Sequence, residues 1–348
     1  MKNVIFSQED KFYKANLHIH TTVSDGNMTP QELKERYMNA GYSVIAYTDH
    51  DMIVPENELS DENFLAITSM ETYYNSDRYP DDPYSVVKTY HLNFLALDKN
   101  NVVCPAFSKR YVEREHTLDY LTPEMEQYDY DREYSQECIN KVIKEANDAG
   151  FLVTLNHPYW SMQNYTDYCD LEGLWGVEVY NHFSYVFGLD SNDQAFCDLL
   201  NQGKQVFPIC GDDCHNEATS LGCFTMIKSE NLEYNNVMSA LKRGDFYSSN
   251  GPEIKELILD GTTLSFKCSD ARRVILNTEC RASSVVADNG KGLTEGSFNL
   301  KPYFEVIEKI KDNLLRRPYF RIVVEDAKGK RAYSRAYFLD ELGIRILA

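Results

Sequence analysis

The chain has 348 residues, 43% of them hydrophobic, and a formal net charge of −19 at pH 7; this is room for two domains, or for one large barrel with an appendage, around an ordinary buried core. The acidity disfavours a large duplex nucleic acid as partner, since such a partner wants a basic surface, and reads first as solubility, although a metal cluster can still attract a small anion locally. No apolar run has membrane-spanning length, the first residues carry no signal-peptide core, and nine cysteines without C-x-x-C spacing argue for reduced thiols in a soluble, cytoplasmic protein rather than for a disulfide framework or a zinc ribbon.

Residues 1–14 read as a lead-in strand or tail. The stretch 15–51 organises the rest. His18 and His20 stand one residue apart, and in an extended strand residues i and i+2 face the same side. Asp25 follows in a Ser-Asp-Gly turn. Thr29-Pro30-Gln31-Glu32 predicts a helix start with an N-cap threonine, proline at the first position and a capping box; Leu33, Tyr37 and Ala40 mark its inner face and Gly41 closes it. A second apolar strand, 43–47, runs into Thr48-Asp49-His50-Asp51. Strand, helix, strand is a βαβ unit, which brings both polar ends to one sheet edge. His18, His20, Asp25 and His50 should therefore cluster, and three imidazoles with a carboxylate suit a divalent transition metal.

The run 64–69 predicts a short strand with Glu71 at its exit, then a tyrosine-rich loop over 72–84. His91 opens the next strand and is expected to be a ligand. Residues 100–134 show no firm period; they read as a lid or as solvated loops with short helices, and Arg110, Arg114, His116 and Arg132 there are candidates for holding a substrate anion. A helix is expected over 135–149, with Ile139, Val142, Ile143 and Ala146 on one face. Strands 151–155, 176–180 and 205–210 then exit into Asn156-His157-Pro158, Asn181-His182 and Gly211-Asp212-Asp213-Cys214-His215, with Glu178 inside the second of them. A helix with a capping box at Ser191 and Gln194 lies between the last two. A strand over 221–228 and a helix over 234–243 complete this part. Cys210, Cys214 and Cys223 read as small packing residues. The histidines keep step with the βα repeat, as functional residues do at the carboxyl edge of an α/β barrel.

After Asn250-Gly251-Pro252 the pattern changes to strands, opening with a hairpin around Asp260-Gly261. The expected division is residues 1–249 as an α/β barrel and residues 250–348 as a small antiparallel β-sandwich that supports the barrel, walls one side of the cleft or forms an interface.

The ordered set HIHTTVSDG, TDHD, Glu71 in SMET, His91 in YHLNF, NHP and GDDCH resembles the PHP family, named for polymerase and histidinol phosphatase domains, over roughly residues 15–228. The resemblance implies a distorted (β/α)7 TIM-like barrel holding two or three divalent ions, zinc, manganese or iron, that hydrolyses phosphate esters. It implies that His18, His20, Asp25, His50, Glu71, His91, His157, Asp213 and His215 match the ligand positions of a trinuclear site, with Asp213 rather than Asp212 as the ligand. The NHPYW stretch, GLWGVEVYN, LKRGDFYSSNGP and the trailing β region look like a branch similar to carbaryl-hydrolase-like metallohydrolases, which leaves carbamate, ester or amide cleavage, or a non-catalytic metal-binding scaffold, as alternatives. Glu71 is the candidate bridging carboxylate. Asp49 is expected to orient a ligand imidazole, and His182 and Glu178 to assist the leaving group or to serve the structure. The expected partners are a small phosphorylated substrate and a further copy of the chain in a homo-oligomer, with neither membrane nor large nucleic acid.

Overall fold

The computed structural model describes residues 2–76, 87–123, 125, 129–189, 192–288, 290–314 and 316–343. Two strands open the chain, β1 (Lys2–Phe6) and β2 (Phe12–Asn16). Helix α1 (Pro30–Asn39) follows, capped by Thr29, whose hydroxyl accepts from the Glu32 amide while the Glu32 carboxylate accepts from the Thr29 amide. Leu33 and Tyr37 are its buried face. Next come β3 (Val44–Tyr47), β4 (Leu65–Asn75) and β5 (Thr89–Ala96). Helix α2 (Gln136–Asp148) starts on the Ser135 cap and buries Ile139, Val142, Ile143 and Ala146, the face read from the sequence. Strand β6 (Phe151–Leu155), the short helix α3 (Tyr165–Tyr168), strand β7 (Gly176–Asn181), helices α4 (His182–Val186) and α5 (Gln194–Asn201), strands β8 (Phe207–Gly211) and β9 (Phe224–Lys228), helix α6 (Tyr234–Arg243) and strand β10 (Phe246–Ser249) complete the first part. Asp193, not Ser191, stands at the cap of α5 and makes no side-chain cap bond there; the expected capping serine lies outside the described residues.

The result is a mixed α/β fold built on one large sheet. Strands β2, β3 and β4 pair in parallel, as do β6, β7 and β8. Strand β5 departs from the regular βα repeat expected: it is antiparallel to both β4 and β6. The Ser76 amide donates to the Lys88 carbonyl at 2.8 Å and the Lys88 amide to the Ser76 hydroxyl at 2.8 Å, so the end of β4 and the start of β5 lie side by side, as antiparallel neighbours must. Strand β4 also continues to Asn75, where a loop was expected over 72–84; of that stretch, residues 77–84 lie outside the described residues. Among its described residues, segment 100–134 forms the 3₁₀ turns Lys109–Tyr111 and Glu115–Tyr120 and an isolated bridge between Ser108 and Asp129, in keeping with its lack of period.

Beyond residue 250 come β11 (Ile254–Asp260), β12 (Thr263–Ala271), β13 (Arg273–Thr278), β14 (Ser284–Ala287), β15 (Leu293–Asn299), helix α7 (Lys301–Ile310), β16 (Tyr319–Glu325), β17 (Arg331–Ser334) and β18 (Tyr337–Phe338). The β11–β12 hairpin turns at Asp260-Gly261 as read. Helix α7 was not foreseen. The large sheet runs β14-β13-β16-β17-β10-β9-β2-β3-β4-β5-β6-β7-β8, and a four-stranded sheet runs β1-β11-β12-β15. Strand β1 therefore joins the sheet built by the far end of the chain, with Lys2 opposite Asp260. Phe6 and Tyr247 share an apolar core with Leu257, Phe266 and Phe320. The two parts are also pinned by Arg321 on β16, whose guanidinium donates to Asp193 at 2.6 Å. Among the described residues no helix is long and apolar enough to cross a membrane.

Candidate metal centre

The strand exits meet at one edge. Past β2 and β8 the chain stays extended, with the His20 amide on the Cys214 carbonyl at 3.0 Å and the Asp213 amide on the His18 carbonyl at 2.8 Å. Beyond β3, the Asp51 amide donates to the Glu71 carbonyl at 2.7 Å, which sets His50 beside Glu71. Because β5 runs in reverse, His91, near its start, reaches the edge that the other strands reach at their ends. The turn carrying Asp25 folds onto His20 because position 26 is glycine; a Cβ there would lie 2.4 Å from the His20 carbonyl oxygen. His157, Asp213 and Asp51 all hold positive φ, at 29°, 52° and 57°, and strained backbone of this kind concentrates at functional sites.

All nine expected ligands come together, in three adjoining groups of donor atoms: His20, Asp25, His50 and His215; His18, His20, Glu71 and Asp213; and Glu71, His91 and His157. Glu71 stands between the last two. Its Oε1 is 3.3 Å from His18 Nε2, 3.2 Å from His91 Nδ1 and 3.6 Å from His157 Nε2. Its Oε2 is 3.3 Å from His20 Nε2 and 3.3 Å from His50 Nδ1. Asp213 Oδ1 is 3.0 Å from His20 Nε2 and 3.4 Å from His18 Nε2, and Asp25 Oδ2 is 3.3 Å from His215 Nε2.

The donors fit divalent metal. Two ligand atoms of one tetrahedral ion, each bonded at about 2.0–2.1 Å, stand roughly 3.3–3.4 Å apart, which is the spacing around Glu71. The Nδ1 atoms of His20, His50 and His91 are buried with no hydrogen-bond partner. Buried polar atoms are ordinarily satisfied, so these call for a ligand.

Neighbouring side chains fix which ring nitrogen faces inward. Glu178 Oε1 lies 2.7 Å from His18 Nδ1; a carboxylate only accepts, so that nitrogen carries a proton and Nε2 is the atom turned toward Glu71 and Asp213. The second Glu178 oxygen accepts from the His157 amide at 2.9 Å and from Asn181 at 3.0 Å. His157 Nδ1 meets Ser161 Oγ at 3.0 Å, and His215 Nδ1 meets the Asp213 carbonyl at 2.9 Å. Asn156 donates to Glu71 Oε1 at 2.7 Å. Glu178, Asn156 and Ser161 thus fix candidate ligands in place, and only their nearness to an exiting histidine hinted at it.

The charges are interdependent. Burial alone would lower the His20 pKa, yet its bonds to Asp213 and Glu71 raise it to about 10. Burial wins at His91 and takes it down to about 4 despite Glu71. Burial opposes ionisation of Glu71 and Asp213, but the His18 charge leads the groups that hold both well below the usual carboxylate range.

Other candidates stand elsewhere. Asp49 orients no imidazole; it accepts from the Thr21 amide and hydroxyl at 2.8 and 2.9 Å and from the Ser24 hydroxyl at 2.7 Å, fixing the loop between His20 and Asp25. Asp212 is turned away, bound by the Tyr37 hydroxyl at 2.6 Å and by the amides of residues 221–223. His182 does not join the donor groups; it lines a separate cleft. Arg132 is buried against Asp51 at 2.5 Å and stacks on Tyr73, Tyr74 and Tyr111, so it is committed to the scaffold. Arg110 pairs with exposed Asp129 at 2.9 Å, and Arg114 is exposed. His116 and Thr117 reach the carbonyls of Ser24 and Val23 at 2.9 and 2.7 Å, so segment 100–134 buttresses the Asp25 turn. Aromatic rings wall the centre: Trp160 packs on His157 and His91, Tyr73 on His50 and His91, and Phe183 on His215.

Among solved structures, the chain is similar to a two-domain Bacteroides vulgatus protein described as containing a predicted PHP-like metal-dependent phosphoesterase, with 14% identity over 95% of this chain and 96% of that one and a TM-score of 0.44. It is similar to an amidohydrolase from Chromobacterium violaceum, with 16% identity over 67% of this chain and 96% of that one and a TM-score of 0.43. A lesion-specific endonuclease from Pyrococcus furiosus shares 13% identity over 67% of this chain and 56% of that one, with a TM-score of 0.38. No family model and no curated protein matches the chain.

Proposed function

We propose that this chain is a metal-dependent hydrolase of the PHP type, a phosphoesterase that cleaves a small phosphorylated metabolite or nucleotide. One observation carries the reading: a buried carboxylate, Glu71, stands within 3.2–3.6 Å of five imidazole nitrogens, the arrangement of a bridging ligand. His18, His20, Glu71 and Asp213 would hold one ion, His20, Asp25, His50 and His215 a second, and Glu71, His91 and His157 a third. When bound, such a cluster supplies acidified water at neutral pH and polarises the phosphoryl oxygen. The chain's own part is orientation: Glu178 keeps the His18 proton on Nδ1, Ser161 and Asn156 set His157 and Glu71, and the Trp160, Tyr73 and Phe183 rings exclude water. The meeting of residues 18–20 with 213–214 supports reading the first part, residues 1–249, as a distorted (β/α)7 barrel, with residues 250–348 and β1 as an accessory unit.

Carbamate, ester or amide cleavage on the same centre is favoured by one observation: the centre is walled by aromatic rings, while Arg132 is committed to Asp51. Metal content by elemental analysis, with phosphate and carboxyl esters assayed on the same sample in added Mn²⁺, separates the readings. Two or three ions with phosphate release support the first. Bound ions with release from carboxyl or carbamate esters alone move the assignment to the second. A chain that takes up neither Zn²⁺ nor Mn²⁺ sinks both.

A further inference from the structure

We propose a second binding site, apart from the metal centre, for a small organic anion that carries a ring. Where the exit of β7 faces the β16–β17 turn, a cleft of about 420 Å³ opens, lined among others by Tyr180, His182, Asn250, Lys328, Lys330 and Arg331. That volume is in the range of small-molecule pockets, roughly 300–1,000 Å³. The cleft concentrates positive groups in a chain whose formal net charge is −19.

The acids around it are already engaged. Asp326 turns its carboxylate to the backbone amides of Lys328 and Lys330, at 2.8 and 2.9 Å. Glu325 is shared between Arg273 and Arg331. Asp212 is buried behind His182 and held by Tyr37 and three amides. Among the described residues, neither the Lys328 nor the Lys330 ammonium has an ion-pair partner. Two ammonium groups on an exposed turn, facing hydroxyl, amide and imidazole groups on the opposite wall, form a donor-rich lining that suits phosphate or carboxylate.

The wall is built for His182. A Cβ at Gly222 would lie 2.0 Å from the His182 ring, so glycine lets the imidazole lie flat on the backbone. The Tyr180 hydroxyl meets His182 Nδ1 at 3.2 Å. The Tyr185 ring, half-exposed, stands nearly parallel to it at 19° and 6.2 Å, offering a flat face to a planar group. Phe183, the next residue, faces His215 instead, so α4 separates the cleft from the metal centre. This site accounts for His182, which the cluster leaves out, and it stands whatever the metal centre cleaves.

The test is titration of metal-loaded protein with phenylphosphonate and benzoate, followed by calorimetry, in the wild type, in H157A and in K328E/K330E. Both lysines are exposed, so the double variant should fold, and metal content equal to wild type would show an intact centre. Phenylphosphonate should bind the wild type and H157A alike and lose at least tenfold in affinity in K328E/K330E. Y185A should weaken phenylphosphonate but leave inorganic phosphate unchanged. The phosphonate-to-benzoate ratio tells which anion the cleft prefers. Binding that vanishes in H157A and survives in K328E/K330E would put the anion on the metal centre and overturn the proposal, as would no binding to the wild type.

Discussion

Two buried glutamates, one at the strand exits and one in the C-terminal part, solve the same problem in opposite ways. Glu325 on β16 is complete within the protein: Arg273 Nε and Nη2 donate to its two oxygens at 2.7 and 2.9 Å, and Arg331 Nε adds a third bond at 3.0 Å. Glu71 accepts one fixed donor, Asn156, and otherwise faces imidazole nitrogens, three of which belong to rings with an orphaned Nδ1. Planar arginine forks close an ion pair geometrically; imidazoles around a carboxylate close it only when protons or a cation sit between them. The first arrangement is finished architecture, and the second is shaped for something added.

The comparison breaks most visibly at Glu71. Glu71→Gln keeps the volume and removes the shared charge. Metal content should fall, and hydrolysis should drop by roughly 10²–10³-fold or more, the scale of losing a preorganised electrostatic group. Wild-type metal content and turnover in this variant would mean that Glu71 bridges nothing.

Asp193→Ala probes the opposite kind of site. It leaves the buried Arg321 guanidinium without its carboxylate, and two of its nitrogens already lack partners. Stripping one partner from a fully buried pair costs about 3–5 kcal/mol; Asp193 is partly open to water, so the loss should fall below that range but still show as a lower denaturation midpoint. Metal per folded chain should not change. A variant that keeps its stability but loses metal would show that the joint between α5 and β16 shapes the centre.

Glu178→Gln should act between these. The side chain can turn its amide oxygen toward His18 Nδ1, but it can no longer hold that proton by charge. Loss of such an orienting partner costs about 10–100-fold in metal affinity or activity. The drop should appear in metal affinity measured by competition with a chelator, with the fold intact by circular dichroism. An unchanged affinity would make Glu178 a packing residue only.

What could be read beforehand follows the range of the interactions. Helix α1 was legible because its cap is closed within four residues, between Thr29 and Glu32. The clustering of the candidate ligands was legible because the histidines keep phase and most of the set sits at the edge of an apolar run. The direction of β5 was not, since the sequence between β4 and β5 carries no hairpin signature to announce the pairing of Ser76 with Lys88. Strand β1 was unreadable as part of the far sheet because its partner, β11, lies at the other end of the chain. Helix α7 did leave a signal, Pro302 in its first turn and Tyr303 and Ile307 buried four apart, which the surrounding strand-like runs obscured. The role of Glu178 was hidden because it contacts His18 only through tertiary structure, from 160 residues along the chain.

The smallest effect tests the self-contained glutamate. The Arg273 hydrogen bond leads the causes that hold the Glu325 carboxyl below its ordinary value, with burial opposing. A carboxyl depressed in the folded state adds stability above its unfolded pKa, near 4.3, and loses it as pH falls through the folded value. Both arginines are partly open to water, so solvent-screened pairing sets the scale, roughly 0.2–1 kcal/mol. Thermal denaturation of the wild type and of Glu325→Gln should therefore differ slightly at pH 7 and converge as the pH is brought below about 4. If the difference instead survived in acid, the stabilisation would come from packing rather than charge, and the contrast with Glu71 would reduce to shape: one carboxylate already enclosed by its neighbours, the other still open to a cation.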